Sequence, residues 1–440
     1  MSKRTALPNF FKKPNILDLK PEGAESVIPK AEPPSADMLE EMKRKAAEEA
    51  AKLKEKILEY YKMIIKNNKI LLRFILFIGI IIIILIIVWY ISNRNNKKKN
   101  NVSALEKNIK DYAKFKDDND INSIANFDFN NSYDKVHDRF TSLKDYYVLG
   151  SYNSCCGGEV FNNWVDVGIL ENTIKMGPRV LDFEIFSLNG VPIVAASLKN
   201  INVKSDSVYS KDTLNHLEVP LVLESCKKAL YGITTPNAND LLILNFRIKT
   251  QNVAALNALS QNITSAFQAS LMNRDFGYGG RNRNVINEDI ADLKQKVIIS
   301  VFDHTNTFKE SDLYSITNMC NNMENRDMGG VEFLRNYDVQ YEAEKAEMVK
   351  KNKLSLKVVI PDETNEKENP PHKIHRENGC QISLMRFSLY DTNLKETLSF
   401  FSNKGSAFAL KPDDYRYKPI ILPEPKKMDP KVKKALQENS

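Results

Sequence analysis

From Phe74 to Ile91 the chain runs for 18 residues without a charge, FILFIGIIIIILIIVWYI. A helix of that length rises about 27 Å, close to the hydrocarbon thickness of a bilayer. It is apolar on every face, so no soluble surface position suits it, and Trp89 and Tyr90 stand where an interfacial aromatic belt belongs. The segment 70–91 therefore reads as a single transmembrane helix. The first 30 residues carry no apolar core of a cleavable signal, so the span is expected to stay as an anchor. Lys62, Lys66, Lys69 and Arg73 precede it, and Arg94, Lys97, Lys98 and Lys99 follow. The two basic flanks balance, so the direction of crossing is left open.

The span divides the remaining sequence. Residues 1–36 are polar and Pro-rich and read as a disordered tail. Ala, Glu, Lys and Leu dominate 37–69, a charged helix whose surface is solvated or meets a partner. Residues 92–135 are rich in Asn, Lys and Asp and read as a polar tether. A globular domain is expected over 136–423, followed by a charged tail at 424–440. β-type runs at 145–151, 178–186, 192–197, 240–248, 295–303, 380–389 and 407–412 alternate with helical stretches such as 217–230 and 252–272. This alternation predicts an α/β fold with a parallel sheet, open or closed into a barrel. The polar stretch 362–378 reads as a loop.

Composition narrows the partners. Net charge is +7 and part of the excess flanks the span, which suits an anionic membrane surface; no stripe of arginines and aromatics suggests nucleic acid. Five unevenly spaced cysteines (Cys155, Cys156, Cys226, Cys320 and Cys380) make neither a disulfide framework nor a zinc motif, so a cytosol-facing domain is the default.

Asp182 and Glu184 in LDFEIF share one face of a strand, as do Asn245 and Arg247 in LILNFRI. Adjacent carboxylates repel and call for a cation, either a divalent metal or an arginine; a strand-end ion-pair cluster without chemistry satisfies the same pattern. The loop 274–284, with Arg274, Arg281 and Arg283 among glycines, is a possible anion-binding loop as well as a plain flexible one. His372 and His375 beside two prolines read as a solvated loop, while His137, His216 and His304 read as structural. No base accompanies Cys155–Cys156, so they make a poor nucleophile. Sequons at Asn101, Asn130 and Asn262 matter only for a lumenal domain.

Taken in order, GSYNS (150–154), GPRVLDFEIFSLNG (177–190), PIVAAS (192–197), LILNFRIK (242–249), LKQKVIIS (293–300), NGCQISLMRFSLYDTNL (378–394) and GSAFALKP (405–412) resemble the motifs of the eukaryotic phosphoinositide-specific phospholipase C barrel. The X-like half spans 144–303, a linker 304–347 and the Y-like half 348–412. The resemblance implies a TIM-type (β/α) barrel interrupted between its halves. It also implies two catalytic histidines, which fall on Tyr152 and Ala196. The family's calcium ligands fall on Asn153, Asp182, Glu184 and Arg247, with the acidic pair in reversed order and a cation at the last position. Its headgroup-binding lysine falls on Ser300, and its Y-half arginine falls near Ser399.

General acid–base groups contribute about 10²–10⁴-fold each. A tyrosine of ordinary pKa near 10 and an alanine do not replace histidines at neutral pH. Arg247 is expected to pair with Asp182 or Glu184 and stand in for the metal. The resulting expectation is a membrane-anchored phospholipase C-like pseudoenzyme, a scaffold or binding module that needs no cofactor. Its expected partners are the bilayer, a protein, or lipid headgroups. The alternatives are a surviving phosphodiesterase on a membrane phospholipid, which would need Ca²⁺, and a structural membrane protein of a large DNA virus particle. The Asn, Lys and Ile usage of an AT-rich genome raises the last of these.

Overall fold

The computed structural model describes residues 36–418 except 68, 119–122, 137, 199–210, 277–282, 322–329 and 363–366. The Pro-rich segment before Ala36, the tail 424–440, His137 and Arg281 lie outside the described residues.

The chain divides into two compact units, Met1–Trp89 and Tyr90–Ser440. The first holds helix α1 (Ala36–Asn67) and the start of helix α2 (Lys69–Asp118). Phe74 to Phe77 and Ile80 to Ile91 expose large apolar side chains. Among the described residues this is one helix long and apolar enough to cross a membrane.

The second unit is built on eight parallel strands: β1 (Tyr146–Ser151), β2 (Val180–Leu188), β3 (Leu242–Ile248), β4 (Val297–Phe302), β5 (Met319–Cys320), β6 (Val331–Arg335), β7 (Leu356–Ile360) and β8 (Ile382–Met385). Except for β5 and β6, each pairs in parallel with the next, and β8 pairs with β1. Among the described residues the ring is unpaired at β5–β6 alone. Val191–Ala195 returns antiparallel along β2, and Phe408–Leu410 runs antiparallel on β1. Helices α3 (Val167–Lys175), α4 (Val219–Tyr231), α5 (Val253–Phe267), α6 (His372–Glu377) and α7 (Thr392–Lys404) belong to the same unit.

Period-2 alternation sorts the strand residues between the two faces. Leu181, Phe183 and Ile185 of β2 and Leu242, Leu244, Phe246 and Ile248 of β3 form one buried cluster with α4 and α5. The opposite residues stack in layers across the barrel. Val180, Ile243 and Ile298 are in register at the base, then Asp182, Asn245 and Ser300, then Glu184, Arg247 and Phe302 at the mouth. The base layer requires Gly150, where a Cβ would lie 2.7 Å from Leu384 Cδ2 and 3.2 Å from Val180 Cβ.

Three expectations from sequence need correction. The linker 304–347 supplies two barrel strands, β5 and β6, which are too short for their alternation to register in the sequence. The loop 362–378 contains α6, and both His372 and His375 are buried. The tether 92–135 is helical as far as Asp118, and Leu105 within it is buried against the barrel unit. Its polar composition hid this, because only the occasional apolar side chain is needed to seat one side of a helix.

Candidate functional site

The C-terminal ends of β1, β2 and β3 bring four sequence-selected residues together. Arg247 projects from β3 at 1% exposure and is flanked by Asp182 and Glu184 from β2, both equally buried. Its Nε donates to Asp182 Oδ1 and Oδ2 at 3.0 and 3.1 Å, and its Nη2 donates to Asp182 Oδ2 at 2.9 Å. Nη1 donates to Glu184 Oε1 at 2.7 Å, and Nη2 also donates to Asn153 Oδ1 at 2.6 Å. Asn153 sits just past β1 in the left-handed backbone region, with φ 43°. That turn points its own N–H at Asp182 Oδ2, 3.0 Å away.

The remaining carboxylate oxygens are also satisfied. Asp182 Oδ1 accepts from Asn245 Nδ2 at 2.7 Å, whose Oδ1 in turn accepts from the Ser300 hydroxyl at 2.8 Å. Glu184 Oε2 accepts from the backbone N–H and hydroxyl of Ser197 at 2.7 and 2.9 Å. Burial opposes the charge on Arg247, but Asp182, Tyr152 and Glu184 outweigh it and hold the guanidinium well above its ordinary pKa. Arg247 therefore stays charged, and one cation is shared by two buried anions.

Tyr152 covers this network. Its ring centroid lies 4.4 Å from Arg247 Cζ and 5.4 Å from Arg386 Cζ. Burial pushes its hydroxyl well above the normal phenol range, and the carboxylates outside the ring add to the shift while the arginines oppose it. Ala196 follows the Val191–Ala195 strand, fully buried, and presents only a methyl group. The gap lined by Asn153, Cys155, Asp182, Glu184 and Ala195 has no room for a water molecule.

A divalent ion does not fit this donor set. The Asn153, Asp182 and Glu184 oxygens that would bind it point at the guanidinium and are within hydrogen-bond distance of it. A second cation in the same space would face Arg247 at contact range.

Other sequence candidates are placed elsewhere. Ser300 lies in the middle layer as described. Ser399 is on α7, bonded to the Lys395 carbonyl, away from the mouth. The arginine that does reach the mouth is Arg386, immediately after β8, held by the carbonyls of Glu368 and Asp362. Beside it opens a cleft of about 370 Å³ lined by Tyr337, Tyr341, Asp362, Asn369 and Arg386 among others. In the 274–284 loop, Arg283 is paired with Glu288 and stacked on Phe276. Arg274 heads a short 3₁₀ turn.

His375 is buried and bonded to Ser383 Oγ and Asn336 Oδ1, with burial pushing its pKa down to about 3. It is a neutral structural group. His304, which looks isolated in the sequence, stands at the end of β4. Burial and then Lys249 lower its pKa, Asp303 opposes, and Arg335 lowers it further. Lys249 and His304 follow β3 and β4 and Arg335 ends β6, so no local motif could have flagged them.

No family model matches the chain, and no curated protein does. Solved structures do. The L. pealei PLC21 crystal structure matches with TM-score 0.50 and 17% identity, over 63% of this chain and 38% of that one. PLC21 from S. officinalis matches with TM-score 0.50 and 16% identity, over 64% and 38%. The fold is phospholipase C-like. A calcium-dependent phosphoinositol-specific phospholipase C from a Pseudomonas species is more distant, with TM-score 0.37 and 9% identity over 57% and 91%. The chain thus spans 38% of the length of the PLC21 proteins it matches.

Proposed function

We propose that the chain is a membrane-anchored, phospholipase C-like barrel that does not hydrolyse phospholipid and acts as a binding or scaffolding module at its membrane. One observation carries this reading: Arg247 occupies the space between Asn153, Asp182 and Glu184 where a cation-dependent phosphodiesterase needs its metal. The acid–base chemistry is missing as well. Tyr152 is buried, neutral and within cation–π reach of two guanidiniums, and Ala196 has no proton to exchange. Two absent general acid–base groups correspond to roughly 10⁴–10⁸ in rate.

The apolar span and its aromatic edge support the anchor. Lys249, just past β3, and Arg335, which ends β6, place basic side chains at strand C-terminal ends and favour anionic headgroups as ligands. The test is phosphoinositide hydrolysis by the full chain in bilayer nanodiscs, with calcium and with chelator. No turnover is expected in either condition, together with retention on phosphoinositide-containing vesicles. Turnover that disappears in Tyr152→Ala or Asp182→Ala would overturn the reading.

A further inference from the structure

We propose that the helix leaving the membrane span is docked along the barrel and holds the barrel mouth against the bilayer surface from which it emerges. This rests on the membrane reading of residues 70–91 and goes beyond it. It replaces a slack tether, which would let the domain swing, with a strut that sets which end faces the lipid.

The contacts run in order down the helix. Arg94 lies 4.6 Å from the Trp164 ring centroid, and Lys98 pairs with Asp166 at 2.8 Å. Lys97 donates to the Asn162 carbonyl at 3.2 Å. Asn101 donates to Asn163 Oδ1 at 2.5 Å. All four partners belong to the segment between β1 and α3, which leaves the C-terminal end of β1 and therefore sits at the mouth. Gly157 in the same segment allows the close approach, because a Cβ there would lie 3.1 Å from Asn101 Cβ and 2.4 Å from Ile169 Cδ1.

Leu105, 1% exposed, seats the middle of the helix. Tyr112 then bonds Ser402 at 2.5 Å, near the C-terminal end of α7. The next residue pairing nearby, Ala125 with Ser406, lies on the approach to the Phe408–Leu410 strand, which enters at the mouth-distal half of β1's partner edge. The helix thus meets the mouth loop first and the far end of the barrel unit last. Arg94 to Tyr112 is 18 residues, about 27 Å of helix.

Covalent geometry then limits where the mouth can be. Ile91, the last apolar residue of the span, is three residues from Arg94. Even fully extended, those residues reach no more than about 11 Å. Whatever angle the span takes, the Trp164 loop stays within that distance, plus one side chain, of the chain's exit from the bilayer. The surface it presents includes Phe161, 56% exposed, with Lys97 and Lys98 beside it. An apolar tip among cationic side chains suits an anionic lipid interface.

The arrangement is tested with the full chain in nanodiscs of phosphatidylcholine and phosphatidylserine. In a Cys156→Ser background, where the four remaining native thiols are buried, Phe161→Cys and Lys175→Cys carry the same fluorophore. Lys175 ends α3, which runs from the mouth loop back towards the start of β2 at Val180, and so lies at the end of the barrel opposite the mouth. Nitroxide-labelled lipid headgroups should quench the label at 161 at least several-fold more than the label at 175. In Arg94→Ser/Lys98→Ser/Leu105→Ser the difference should collapse, while the circular dichroism of the barrel is kept. Equal quenching at 161 and 175 in the parent, with the chain still retained through alkaline extraction, overturns the docked arrangement alone. Release of the chain by alkaline extraction overturns the anchor and this arrangement together.

Discussion

Replacing Arg247 by methionine keeps an unbranched side chain and removes the charge. The change takes hydrogen bonds from Asp182, Glu184 and Asn153 at once. Asp182 keeps Asn153 N–H and Asn245, and Glu184 keeps Ser197, so each anion remains partly solvated by the protein. Neither retains a full counter-charge, at exposures of 0% and 1%. Breaking one buried ion pair by removing a partner costs about 3–5 kcal/mol, and here one cation serves two anions. The loss should fall in the upper half of that range at pH 7. For a domain of this size it corresponds to a drop in Tm of roughly 10 °C.

The assay is thermal and urea unfolding of the full chain in detergent. Millimolar calcium should stabilise Arg247→Met, whose Asn153, Asp182 and Glu184 oxygens are released, by about 2.7 kcal/mol at 100 times Kd, and raise its Tm accordingly. It should leave the parent unchanged. Arg247→Met/Asp182→Asn/Glu184→Gln should recover most of the loss, since it removes the stranded charges with little change in volume. A loss below about 1 kcal/mol, or calcium stabilising the parent as much as the variant, would refute the view that the guanidinium replaces a metal.

Three further outcomes follow from buried charge elsewhere. Lys411, 1% exposed, donates to the carbonyls of Asn352 and Lys144, and burial lowers its pKa to about 7 despite the opposing pull of Asp145. Its folded pKa lies below the unfolded value near 10.4, so the unfolded chain binds more protons in between. Its contribution is fully present above about pH 10 and is lost as pH falls towards 7. Urea unfolding across that window should show stability rising with pH in the parent, and a flatter profile in Lys411→Met. Arg179, fully buried, donates to the carbonyls of Ala229, Asp240 and Leu241; Arg179→Met strands all three and should lower stability by about 3 kcal/mol in equilibrium unfolding. Tyr152→His with Ala196→His, leaving Arg247 in place, should yield no phosphoinositide hydrolysis in a calcium-containing assay, since the cation position stays filled.

Much of the barrel was legible because long, apolar strands carry a strong local signal. β1, β3, β4, β8 and the closing strand Phe408–Leu410 fall within runs visible in the sequence, β2 and the hairpin strand Val191–Ala195 overlap such runs, and β7 matches none. β5 and β6 were not visible there. A strand of two residues has no alternation to detect, and Val331–Arg335 shows none, with Val331 alone of its five residues buried. Helix α6 was missed because PPHKIHREN looks polar, while its burial depends on His372 packing between Phe400 and Phe401 from a helix twenty residues away.

The long apolar run at 70–91 and the pairing of Asp182 with Glu184 on one strand face are local properties. Hydropathy expresses the first and the two-residue strand period expresses the second, so both could be read without a fold. Which cation answers the two carboxylates was a tertiary question. Only the register of β2 against β3 sets Arg247 level with Glu184, and only the turn after β1 brings the Asn153 oxygen to the same guanidinium. The docking of residues 94–112 was likewise invisible. Its asparagines and lysines score as solvent-loving, yet Asn101 and Lys98 find their hydrogen-bond and ionic partners on a loop more than sixty residues away. Composition reports what a side chain prefers in isolation; the fold supplies the partner that overrides it.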